Sequence, residues 1–213
     1  MYEQGIIQET SDRLQAVALK FDDNGELDAW AFDNYCTQLE SASANDEGSF
    51  ITEQIINNRG LRKWGGTSYA PVWEAVTSFY FTPQAVAKIV EASKGLFGSL
   101  KSLFGGGKPA ASAQPAPVPA GELPAMLLFV TDGECGDESN SRRVMAEATK
   151  NPKMYFQMVG VGHAKHFAFL KELADQYPNV GFINLSSLAL SDDELYDQLI
   201  TQEVVDWVKK ASA

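Results

Sequence analysis

The segment LLFVTDGE, residues 127–134, carries an apolar run straight into Thr131 and Asp132, with Gly133 and Glu134 directly after. A carboxylate at the end of a buried-looking strand can close a turn, ligate a metal, accept a phosphate or act as a catalytic acid. A second oxygen group stands in WGGTSYAP, residues 64–71, where Thr67 sits on a glycine loop just before a helical pattern. Its hydroxyl suits a hard cation of the Mg²⁺ type, which takes oxygen ligands in near-octahedral array. The loop glycines would let backbone and ligand come close. Ser68 is the expected N-cap of the following helix. DESNS, residues 137–141, spells a D-x-S-x-S metal loop letter for letter. It lies on the same loop as Asp132, however, so it cannot form the opposite wall of a site, and its composition suits a turn and a helix cap.

Other chemistries find weaker support. His163 and His166 flank a glycine-ended apolar run, but nothing brings them to Cys36 or Cys135, and a thiol nucleophile needs a base within reach. The cysteines are expected to be inert. No nucleophile elbow and no phosphate-binding G-x-x-x-x-G-K-[ST] loop occurs, and GVGHAK lacks the third glycine of a dinucleotide fingerprint. An Asp-dependent phosphotransfer enzyme would need a second Asp where Glu134 stands, or an acidic pair beside the first strand. Asp22 and Asp23 instead follow a helix.

The chain has 213 residues, 45% of them hydrophobic with 12 Phe and 4 Trp, enough for one sizeable core. A formal net charge of −11 argues against nucleic-acid partners and favours cations or basic surfaces. Two cysteines are too few for a disulfide framework or a four-ligand zinc site. With no apolar run approaching a membrane span and no basic-then-apolar leader, the expected location is cytoplasmic.

The elements that must position these residues follow from periodicity. Helical spacing predicts a helix over 2–21, ended by DDNGE with Asn24 and Gly25 suited to positive φ. Residues 27–32 read as a strand, 34–41 as a weaker edge strand, 49–58 and 70–80 as helices. Strands are expected at 125–131, 153–162 and 180–185. Helices are expected from about 139 to 150, over 165–177, and as one long element over 191–211 that opens on a Ser191–Glu194 capping box. Alternating strands and helices imply an α/β fold, a doubly wound, mostly parallel sheet sandwiched by helices. Ligands in such sheets sit at the carboxyl ends of the strands, where Asp132, Gly160 and Gly162 fall.

Residues 82–124 read as an insertion within a single domain spanning 1–213. An amphipathic, Lys-bearing stretch with Val86, Ile89, Val90, Leu96, Phe97, Leu100 and Phe104 is followed by a Gly/Ala/Pro-rich linker. Folding back onto the domain is the simpler expectation, and contact with a membrane surface is the alternative.

GGTS before a helix, LLFVTDGE on a strand and VGVG…FAFLKELAD together resemble a von Willebrand factor A (vWA) domain. GIIQETSDRLQAVALKFDDNGELDAWAFDN and the tail from Asn179 to Ala211 resemble the bacterial TerF type, associated with tellurium resistance and stress. That resemblance implies a metal-ion-dependent adhesion site built from a D-x-S-x-S loop, a Thr and an Asp. Thr67 and Asp132 match the last two. Gly66 and Ser68, and Gly133 and Glu134, are then expected to frame the binding face. The D-x-S-x-S loop and its central strand would precede residues 2–21 and have no match here, so a fragment of a longer protein is expected. A divalent cation, Mg²⁺ before Mn²⁺ or Ca²⁺, is expected to bind weakly or not at all unless that loop is supplied. The implied function is protein–protein interaction rather than catalysis, with calcium-binding TerD-type stress proteins as partners. A metal-independent scaffold docking through the insert helix or an open sheet edge is the alternative, and a phosphotransfer enzyme the second.

Overall fold

The computed structural model describes residues 6–20, 24–46, 48–63, 65–81, 123–162, 164–185 and 191–212. The expectations for the amphipathic insert and for His163 lie outside them.

A parallel sheet of three strands organises the described residues: β5 (Ala125–Thr131), β6 (Met154–Gly160) and β7 (Val180–Asn184), in that spatial order. Every residue of β6 is buried, as the middle strand of a sheet covered on both faces requires. Side chains alternate between the faces. Phe129 of β5, Met154, Phe156 and Met158 of β6 and Val180 of β7 enter the larger core. Three helices cover that face: α2 (Ala70–Phe81), α3 (Glu138–Ala148) and α4 (Ala168–Gln176), through residues such as Trp73, Met145 and Leu170. On the other face, Val159 and Ile183 meet Leu14 and Val17 of α1 (Ile6–Ala18) and Leu195 and Leu199 of α5 (Asp192–Leu199). Tyr155 there meets Val204 and Trp207 of α6 (Gln202–Ala211). The fold is therefore α/β and doubly wound.

Three expectations need correction. The single helix over 191–211 is two. Ile200 leaves helical geometry (φ −104°, ψ 68°), and extended Thr201 starts the second helix. The break lets each half follow a different part of the twisted sheet. Leu195 and Leu199 pack near the strands' carboxyl ends, while Trp207 packs near the opposite end and donates from Nε1 to the Pro152 carbonyl at 2.7 Å. The expected capping box is present, with Ser191 and Glu194 satisfying each other's backbone N–H groups.

The strand expected over 27–32 is also divided, into β1 (Glu26–Leu27) and β2 (Trp30–Phe32). β1 pairs antiparallel with β4 (Ala42–Ser43), and β2 with β3 (Cys36–Gln38). Neither pair joins the parallel sheet; β5 has β6 as its hydrogen-bonded neighbour, and no second one occurs among the described residues. The approach of β2 to β5 is made by side chains instead, Phe32 stacking on Phe129 with centroids 4.9 Å apart. The third correction lies within 49–58, where Thr52–Ile56 is wound as a π-helix.

Candidate functional site

β5 ends at Thr131, and the chain turns through exposed Asp132 and buried Gly133, the latter at φ 98°. The Thr131 hydroxyl fixes the turn: its Oγ1 accepts the Gly133 N–H at 3.2 Å and lies 2.9 Å from the Tyr69 hydroxyl. Glycine is required at 133 on two counts. The φ is one that side chains rarely adopt, and a Cβ would stand 2.5 Å from the His166 carbonyl oxygen. The short 3₁₀ turn Ala164–His166 thus sits directly over the Asp132 turn.

The Thr67 loop is held from two sides. The turn between β2 and β3 lies on one, where the Asp33 carbonyl accepts the Ser68 N–H at 2.9 Å. Asp33 and Asn34 occupy the space beside Gly65 and Gly66; a Cβ on either glycine would meet an oxygen of these side chains at 2.6 Å. The guanidinium of Arg62 stacks over the Tyr35 ring at 4.1 Å, tying the two loops further. On the other side stands the loop after β5. Gly136 donates its N–H to the Thr67 carbonyl at 2.6 Å. Asp137 Oδ1 accepts the Tyr69 N–H at 2.8 Å, and its Oδ2 accepts the Ala70 N–H at 3.3 Å.

Asp137 therefore caps α2 from 68 residues further along the chain, satisfying N–H groups that a helix start leaves open. This corrects the assignment of the cap to Ser68, which stands outside the helix. The DESNS segment is the expected turn and helix start, though its aspartate serves a neighbouring helix. The same Oδ1 accepts the buried Ser141 hydroxyl at 2.8 Å and a weak bond from the Cys135 thiol at 3.4 Å. Burial pushes the Tyr69 phenol well above its ordinary range, against the pull of the Thr131 hydrogen bond, with a smaller push from the Asp132 and Asp137 carboxylates.

Of the residues singled out in the sequence, Thr67 is half-buried with its carbonyl bonded to the Asp132 loop, and Asp132 and Glu134 are exposed. Gly66 and Gly133 are committed to close packing. The thiols have no sign of activation: burial raises Cys36 to about 11 and pushes Cys135 up as well, so both stay protonated at neutral pH. Asp33, Asn34, Tyr69 and Asp137 hold the rim together without having been singled out for it. The sequence signal for Asp137 was its position before α3, which points to a local cap rather than a remote one.

Do these residues fit a divalent cation? Among the described residues no group of three or more His, Cys, Asp or Glu side chains could hold a metal ion. The carboxylate of Asp137 is already engaged by two N–H groups and a hydroxyl. Thr67 and Asp132 remain, and two such groups cannot displace the waters of Mg²⁺. The described residues do not fit the ion by themselves.

A parallel sheet wound on both faces by helices, with a Thr loop and an Asp loop joined at its carboxyl edge, is the arrangement expected of a vWA-type domain. The model of the vWA-TerF-like family, described as the vWA found in TerF C terminus, matches residues 1–93 and 113–213, and the chain belongs to that family. It is also similar to a Bacillus subtilis (strain 168) protein named "Uncharacterized protein YcbR", 29% identical over 216 residues that cover 99% of this chain and 72% of the relative. No helix among the described residues is long and apolar enough to cross a membrane.

Proposed function

We propose that this chain is a protein-interaction module whose contact face is the rim carrying Thr67 and Asp132, working in a bacterial tellurite or stress response as the TerF name suggests. The observation that carries this reading is the double tie between the rim's two loops, Gly136 N–H to the Thr67 carbonyl and the Asp137 carboxylate to the first turn of α2. A pre-ordered rim loses little conformational freedom on binding, so more of the contact energy is available as affinity. Asp132 stands exposed on it, and the net charge of −11 favours a partner that brings cations or a basic surface. A divalent cation enters only with further oxygen ligands from beyond the described residues.

The test is biolayer interferometry against a purified calcium-loaded TerD-type protein. The reading predicts saturable binding that Asp132→Asn and Thr67→Ala each weaken. Binding indifferent to both substitutions moves the contact face elsewhere, and no binding removes this partner. The second reading, metal-independent docking by strand addition, is favoured by the edge of β5 that has no partner strand among the described residues. A Mg²⁺-dependent phosphatase activity lost in Asp132→Asn would instead support the phosphotransfer enzyme.

A further inference from the structure

We propose that the guanidinium of Arg62, stacked on the ring of Tyr35, is a docking point for a carboxylate in an acidic segment of a partner protein. The guanidinium lies 4.1 Å from the ring centroid, and Tyr35 is 54% exposed, so the stack stands at the surface. Stacking uses the flat face of a guanidinium and leaves the N–H donors along its edge free. Those edges match a carboxylate bidentately. Arg13, Arg142 and Arg143 each pair with a carboxylate of the protein itself. Arg59 and Arg62 are the other arginines of the chain, and both are exposed with no carboxylate partner among the described residues.

The local fold holds this pair ready. Asp33 Oδ1 accepts the Tyr35 N–H at 2.9 Å, and the Tyr35 carbonyl accepts the Asp33 N–H at 2.9 Å, which fixes the turn that carries the ring. The Asp33 carboxylate is thereby engaged, with its other oxygen beside Gly65. On the Arg62 side, Asn58 Oδ1 accepts the N–H groups of Gly60 and Leu61 at 3.0 and 3.2 Å, and the Leu61 side chain is buried. Lys63 donates to the carbonyls of Ile55, Ile56 and Asn58, so its ammonium secures the loop rather than a ligand. An arginine ordered before contact gives up less freedom on binding. The sequence has no acidic residue between Glu53 and Glu74, and Arg59 adds a second positive charge three residues before Arg62. Two such charges suit a run of Asp or Glu. A nucleic acid is disfavoured by the net charge of −11, because its phosphates continue past the patch over an acidic surface, whereas a short acidic segment meets the patch alone. The patch uses neither Thr67 nor Asp132, so it goes beyond the rim reading and is tested apart from it.

¹H–¹⁵N NMR of the full chain, titrated with the capped peptide Gly-Glu-Asp-Glu-Asp-Gly, reads the Arg62 Nε–H and the Tyr35 amide directly. The same peptide with Gln and Asn in place of the acids, inorganic phosphate and a single-stranded oligothymidylate are the comparisons. The expected result is a saturable shift of both signals with the acidic peptide, none with its amide counterpart, and weaker binding as salt is raised. Arg62→Ala should weaken binding at least about tenfold, a difference of about 1.4 kcal/mol. Arg62→Lys keeps the charge without the planar fork and should recover only part of that loss. Tyr35→Ala should weaken binding by a smaller factor, and Arg143→Ala, at an arginine already paired, should leave it unchanged. These positions are exposed or partnered at the surface, so the amide spectra of the variants should otherwise match the parent chain. No shift at Arg62, an affinity unchanged in Arg62→Ala, full recovery in Arg62→Lys, or shifts confined to residues 132–134 would overturn the proposal. Binding of phosphate or of the oligonucleotide as tight as that of the acidic peptide would also overturn it.

Discussion

The carboxylate of Asp137 receives the backbone N–H of Tyr69 at 2.8 Å, so a side chain from the loop after β5 sets the start of α2. With the Ala70 N–H and the Ser141 hydroxyl on the same carboxylate, one residue ties two helices to one strand end. Asp137→Ala leaves these donors without their acceptor and should cost about 2 kcal/mol in urea-induced unfolding. Asp137→Asn keeps one acceptor oxygen and should cost less. Equal stability of Asp137→Ala and the parent chain would show that the cap does not hold the rim.

Gly133→Ala tests the turn itself. Both the positive φ and the 2.5 Å approach of a Cβ to the His166 carbonyl penalise any side chain. The expected loss is at least ~2 kcal/mol in the same assay. Gly25→Ala is the control. Its φ is also positive, at 77°, but its surroundings are open, so only the backbone penalty applies and the loss should be smaller.

Tyr69→Phe removes one partner of the buried 2.9 Å contact with Thr131 while leaving the aromatic packing on Phe129 and Trp73 intact. Thr131 keeps the Gly133 N–H, so its oxygen is not orphaned. Unfolding should become easier by about 1 kcal/mol. A loss several times larger would mean that the hydroxyl orders the whole rim.

Acid titration reads the cap of α5. Hydrogen bonds from the Ser191 backbone and hydroxyl hold the Glu194 carboxyl below its ordinary value. A carboxyl lowered on folding contributes stability that is present above its unfolded pKa and lost as pH falls through the folded one. NMR titration should therefore place the Glu194 midpoint below that of a free glutamate, and Ser191→Ala should move it upward.

Much of the frame was legible because it depends on local pattern. The near-continuous apolar runs of β5 and β6, the alternation with helices, and the Ser191–Glu194 pair announce themselves within ten residues. The break at Ile200 was not legible. Leu199, Ile200 and Val204 keep a helical rhythm across it, and only the two separate surfaces that Leu199 and Trp207 must reach explain the bend. At the rim, Thr67 and Asp132 could be picked out by type, but what joins their loops could not. Asp137 acts across 68 residues, and the glycines at 65 and 66 make room for Asp33 and Asn34, a turn more than 30 residues earlier. Tertiary bonds of that reach leave no periodic trace in the chain.

Hydrogen bonds of the protein itself join the Thr67 and Asp132 loops, and the joint is expected to need no bound ion. Isothermal titration of the chain with Mg²⁺ and with Mn²⁺, repeated on Asp132→Asn, tests it most directly. The predicted result is no binding in the micromolar range and identical thermal unfolding with and without chelator. Micromolar binding that disappears in Asp132→Asn would contradict it.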